Sequence, residues 1–136
     1  MHKVLSLLWI IAVFGFSSDV NAQTPTPFDG TYAFVSSTKL NDTYFRTGTN
    51  GMGRCADLPK VSRLIIANGI ARYNTLRGTV NSFGELTMRA VLSPTIRGSS
   101  PGVEIMTSGR IDGNGTVHAR RMTYYCRYDL VWQKNG

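Results

Sequence analysis

The stretch "YYCRYDLVWQ", residues 124–133, alternates without a break between two faces. Tyr124, Cys126, Tyr128, Leu130 and Trp132 fall on one, and Tyr125, Arg127, Asp129, Val131 and Gln133 on the other. Side chains on a strand repeat every two residues, so one apolar and one mixed face mark a strand packed on one side of a sheet. "ELTMRAVL", 85–92, repeats the scheme, with Leu86, Met88, Ala90 and Leu92 inward and Glu85, Thr87 and Arg89 outward. No window carries the 3.6-residue period of an amphipathic helix, and glycine-bearing turns interrupt the pattern about every ten residues.

Strands are predicted near 29–37, 40–47, 62–67, 70–76, 78–82, 85–92, 103–111, 116–122 and 124–133. Asn68-Gly69 inside "LIIANGIARY" is the strongest hairpin signal, because both residues tolerate the positive φ of a two-residue turn. "GTVNSFGEL" (78–86) and "GRIDGNGTV" (109–117) share the spacing Gly-x-aliphatic-x-x-x-Gly-x-aliphatic, which places a glycine turn between two strands. Turn chemistry accounts for that likeness as well as duplication does. Consecutive antiparallel strands predict an all-β meander closed into a small barrel of about eight strands, since closure removes exposed edges. A two-sheet β-sandwich is the alternative.

The first 22 residues read as an address. His2 and Lys3 precede the apolar run Val4–Phe16, and Val20-Asn21-Ala22 fits the small-x-small cleavage pattern. The apolar run is shorter than the roughly 20 residues of a spanning helix. The expectation is a signal peptide over 1–22, a flexible proline-punctuated lead-in over 23–28 ("QTPTPF") and one domain over 29–136, exported to the periplasm or secreted. In an oxidising compartment Cys55 and Cys126 are read as a disulfide. Metal ligation is the weaker reading, because two cysteines and one distant histidine make a poor ligand set, so no metal or other cofactor is expected.

Fifteen Lys and Arg against eight Asp and Glu give a formal charge of +7, and losing Lys3 and Asp19 with the leader leaves it unchanged. Such a field favours anionic partners. Aromatics spread singly over the strands do not build the stacking platform of single-strand nucleic-acid binders. "TGTNGMG" (47–53) lacks the Gly-Lys-Ser/Thr ending of a phosphate cradle and reads as a flexible loop. His118 needs a nucleophile or an orienting carboxylate to be catalytic. Asp112 falls in a turn, Asp129 lies on the last strand, and no serine or threonine sits in a Gly-x-Ser-x-Gly elbow. No catalytic residue is assigned, and His118 is read as a surface histidine on a basic hairpin.

By alternation Arg110, Arg120 and Arg127 point outward and form a cationic ladder if their strands are neighbours, with His118 beside Arg120 as a further candidate contact for an anion or partner. The competing reading is a solvated face with cross-strand pairs to Asp112 and Asp129. Arg121 points inward or lies at the rim. The loop "SPTIRGSSPG" (93–102) presents Ile96 and Arg97, a candidate partner contact. Asn41 and Asn114 head glycosylation sequons, which matter only in a eukaryotic source.

The start "FDGTYAFVSSTKLNDTY", the middle "GELTMRA" and the end "SGRIDGNGTVHAR…YCRYDLVWQK" together resemble small exported proteins of alphaproteobacteria. Gly30-x-Tyr32 resembles the Gly-x-Trp opening strand of lipocalin-like barrels, with Tyr in place of Trp. These motifs are turns and core strands, so the resemblance implies a fold and an export route and carries no activity. Three functions follow as expectations. The first is a monomeric, non-enzymatic barrel that binds a secreted or envelope partner, inhibitor-like, through 93–102. The second is a cationic module that docks on an anionic envelope polymer or lipid headgroups. The third, a small-ligand barrel, requires an open interior that Tyr32, Phe34, Tyr128 and Trp132 are bulky enough to fill.

Overall fold

A computed structural model describes residues 24–45, 51–58, 62–92, 103–123 and 125–136. Among these residues ten strands follow one another: β1 Gly30–Lys39, β2 Thr43–Phe45, β3 Met52–Arg54, β4 Leu64–Ala67, β5 Ile70–Tyr73, β6 Leu76–Val80, β7 Glu85–Leu92, β8 Val103–Ile111, β9 Thr116–Thr123 and β10 Cys126–Lys134. Eight of them close an antiparallel barrel in the order β1-β10-β9-β8-β7-β6-β5-β4, while β2 and β3 form a separate two-stranded sheet. The small closed barrel is therefore the architecture, and the sandwich is not. Closure rests on β1, which pairs with β4 through Gly30↔Ile66 and with β10 through Phe34↔Trp132. Val35 is an extra residue between the Phe34 and Ser36 pairs, a bulge that bends β1 and sharpens its twist.

Three sequence expectations need correction. Residues 40–47 were expected as a barrel strand, and Thr43–Phe45 instead pair with Met52–Arg54 outside the barrel. The 47–53 stretch was expected as a loop, yet its last residues open β3. Gly53 sits directly under the Tyr44 ring, where a Cβ would collide with the ring carbons, so the glycine marks a close strand pair there. The turn between β5 and β6 falls at Asn74-Thr75, with Asn74 at φ 50°, two to three residues before position 77, where the expected strand limits 70–76 and 78–82 place it.

The two segments of shared spacing fold into the same hairpin. Asn81 Oδ1 accepts from the Phe83 and Glu85 amides, and Asp112 Oδ1 from the Asn114 and Thr116 amides. Gly84 and Gly115 then take φ 79° and 76°, a region cheap only for glycine. Nine residues before each partner, a Cβ at Gly78 would strike the Thr87 carbonyl oxygen and one at Gly109 the His118 carbonyl oxygen. Both glycines let neighbouring backbones approach closely.

The interior is packed around Trp132, which is fully buried. Its ring meets Phe34 at 5.9 Å and Tyr73 at 5.1 Å, both edge-on, and its Nε1 donates to the Ser62 carbonyl. Tyr32, Leu64, Ile66, Leu86, Val117 and Leu130 complete this core. From the expected lead-in, Thr26 donates to Asp29 and Phe28 packs against the core. Asp29 also accepts from the Asn68 and Gly69 amides, and these hydrogen bonds, that from Thr26 first, hold its pKa down to about 2.

At the opposite end Cys55 and Cys126 are joined, with Sγ–Sγ 2.07 Å and Cα–Cα 5.6 Å. The bond ties the β2–β3 excursion to the start of β10. Asn41 reinforces it: Nδ2 donates to the Tyr125 carbonyl and Oδ1 accepts from the Arg127 amide.

Candidate functional site

β8, β9 and β10 are consecutive in the barrel, so the strands that carry Arg110, Arg120 and Arg127 are neighbours. All three arginines and His118 are exposed on the outer face. They do not stand directly opposite one another. Arg110 faces His118, Arg120 faces Asp129 and Ser108, and Arg127 faces Met122. Arg110 and Arg120 are therefore diagonal neighbours, as are Arg120 and Arg127, at roughly 7–8 Å between such positions. The ladder is a staircase across three strands.

Its middle step is neutralised. Arg120 Nε donates to Asp129 Oδ1 at 2.9 Å, and that carboxylate raises the guanidinium pKa. Ser108, His118, Arg120 and Asp129 line an open groove of about 660 Å³ on this wall. Serine, histidine and aspartate thus share one surface depression. Arg120 nevertheless stands between Ser108 and Asp129 and holds the carboxylate that His118 would need as an orienting partner. Asp112, the other acid near the hairpin, accepts hydrogen bonds inside its own turn.

A second cationic row escaped the sequence reading. On the outer face Arg72 of β5 stands directly opposite Arg77 of β6, which stands directly opposite Arg89 of β7. The row continues through Met106 and Met122 to Arg127 on β10, and from Arg72 back to Ile65 on β4. Like charges directly opposite on a sheet are destabilising. Here three arginines occupy consecutive rungs. Arg77 Nη1 is taken by the Asn74 and Leu76 carbonyls, which leave its charge intact, and Arg89 has a long 3.5 Å contact to Glu104. Ile65 and Met122 lie exposed in the same row, so it mixes cations with apolar side chains. Four other acids are engaged elsewhere: Asp42 and Asp57 on Lys39, Asp129 on Arg120, Glu85 on Asn81.

Arg121 turns to the inner face, one of its two expected positions, where it stands between Thr107 and Tyr128. Ile96 and Arg97 lie outside the described residues. Asn41 spends its amide on the chain itself, whereas Asn114 is exposed at a turn. Among the described residues no group of three His, Cys, Asp or Glu side chains is placed to hold a metal ion, and no helix is long and apolar enough to cross a membrane. No family model matches the chain, and neither the curated proteins nor the solved structures contain a match to it.

Proposed function

We propose that the protein is a non-enzymatic binding module that docks on an anionic polymer through the outer wall of its barrel. One observation carries this reading: Arg72, Arg77 and Arg89 stand in register on three adjacent strands, a placement that costs the fold stability. Adjacent strands lie about 4.8 Å apart, so the row offers closely and regularly spaced positive charge. A chain with repeated carboxylate, sulfate or phosphate groups is the complementary ligand. Arg127 extends the row, and Arg110 stands two steps away on the same wall. The apolar rungs Met106 and Met122 give the polymer's backbone something to lie against.

Export to the periplasm or outside the cell, which the leader-like first 22 residues and the disulfide favour, would set such a module among envelope polymers. A protein partner reached through Ile96 and Arg97 is the competing reading. The binding assay separates them. Dextran sulfate should bind, neutral dextran should not, and the triple change Arg72→Ser, Arg77→Ser, Arg89→Ser should weaken dextran sulfate binding at least tenfold at low salt. Equal binding of the two dextrans, or full binding by the triple variant, would remove the wall from the account.

A further inference from the structure

The barrel wall has an inner counterpart that the outer docking face does not use. Two cations point inward along one rung of the barrel, Lys39 on β1 and Arg121 on β9, with Tyr128 of β10 between them. Lys39 is saturated: its Nζ lies 3.0 Å from Asp42, 3.1 Å from Asp57 and 3.3 Å from the Cys55 carbonyl. Arg121 has no such company. Among the described residues it makes no ion pair, and its Nε is buried without a hydrogen-bond partner.

Two hydroxyls beside it share that condition. Among the described residues, Thr107 Oγ1 and Thr123 Oγ1 are buried and have no hydrogen-bond partner. Thr107, which is fully buried, stands directly opposite Arg121 on β8, and Thr123 lies two residues along β9 on the same face. A polar group buried without a partner costs about 1–3 kcal/mol, and native folds hold few of them. Three on adjacent positions of one inner surface, one of them on a permanently charged guanidinium, form a cluster of unpartnered groups that can all donate, with no anion beside them. The Tyr128 phenol does not serve, since its hydroxyl already donates to the Ala56 carbonyl.

We infer that this cluster binds an oxyanion, the carboxylate or phosphate head of a small ligand, with the Arg121 guanidinium as its fork and the Thr107 and Thr123 hydroxyls as flanking donors. The guanidinium is always charged and matches both oxyanions in bidentate geometry. The aromatic core around Trp132 leaves the middle of the barrel filled, so the head group is what enters, near the disulfide end where Cys126 faces Thr123. The site stands apart from the outer row, and either can fail alone.

The test uses the protein with sodium phosphate, sodium acetate and, at matched ionic strength, sodium chloride as probes. The readouts are the Arg121 Nε–H resonance and the melting temperature. Phosphate or acetate should shift that resonance and raise the melting temperature where chloride does not, and the stronger of the two names the head group. Arg121→Met should abolish the response, melt no lower than the parent, and bind dextran sulfate as before. Arg121→Lys, which keeps the charge without the fork, and Thr107→Val should each weaken oxyanion binding about fivefold. Oxyanions that act no differently from chloride would overturn the inference. So would an Arg121→Met protein that responds like the parent or melts well below it, for the guanidinium would then be either uninvolved or compensated within the fold.

Discussion

Removing the Cys55–Cys126 bond should leave the native barrel in place and destabilise it chiefly through the unfolded state. The bond joins residues 71 positions apart, and the segment it closes, which begins just after the β2–β3 excursion, contains strands β4 to β9. On the loop-entropy model a closure of that length is worth about 4 kcal/mol at 25 °C. The native ends stay held by other means. Asn41 bridges Tyr125 and Arg127, the Leu40 amide donates to the Arg127 carbonyl, and Tyr128 donates to the Ala56 carbonyl. Against a total stability of roughly 5–15 kcal/mol, the double change Cys55→Ala, Cys126→Ala should therefore give a folded but much weaker protein. Its melting temperature should fall by about 15 °C, and its urea midpoint should drop accordingly. Its amide resonances for β5 to β8 should keep their positions. A loss under about 1 kcal/mol would refute the reasoning, because the bond would then be constraining the unfolded chain hardly at all. Collapse of the β5–β8 resonances would refute it from the other side.

Other consequences concern the core, the turns and the wall. Trp132→Ala removes the buried ring between Phe34 and Tyr73 and strands the Ser62 carbonyl, and should cost about 3–5 kcal/mol in urea unfolding, with Trp132→Phe costing less. Gly109→Ala drives a methyl into the β9 backbone and should lower stability by about 1–3 kcal/mol, while an alanine at Gly113, where nothing crowds the position, should change it little. The Asp29 carboxyl has a folded pKa of about 2, below its ordinary 3.8, so its contribution is present above pH 4 and lost as pH falls through 2. Asp29→Asn should flatten that acid limb of the stability curve. Arg77→Thr relieves two like-charge pairs and should raise the melting temperature by about 2 °C while weakening polyanion binding, a trade that a purely structural arginine would not show.

The alternation in 85–92 and 124–133 was enough to assign faces, and Met88, Tyr128 and Trp132 are inward as read. The Asn68-Gly69 turn and the twin 81–84 and 112–115 turns were legible because they depend on local backbone chemistry. Asn and Gly supply the positive φ, and an Asn or Asp side chain ties the corner. Cys55 and Cys126 were legible by arithmetic alone. What periodicity does not state is register. Alternation places Arg72, Arg77 and Arg89 outward, but only the turn at Asn74-Thr75 sets Arg72 across from Arg77, and the expected strand limits put that turn later. The same gap hid the staircase of Arg110, Arg120 and Arg127, which needs both neighbouring registers. The β2–β3 pair was missed because "TGTNGMG" carries too few side chains to show a strand period. The lone charge of Arg121 was hidden too, since no local pattern reports that a distant Asp42 and Asp57 are spent on Lys39.

The salt dependence of polyanion binding tests the outer wall most directly. Dextran sulfate affinity is measured from low to high sodium chloride for the parent and for the Arg72→Ser, Arg77→Ser, Arg89→Ser protein. If the row docks the polymer, the logarithm of affinity falls linearly with that of salt, and the triple change flattens the slope by about 2 units. A slope near zero in the parent, or one that the triple change leaves untouched, contradicts the account.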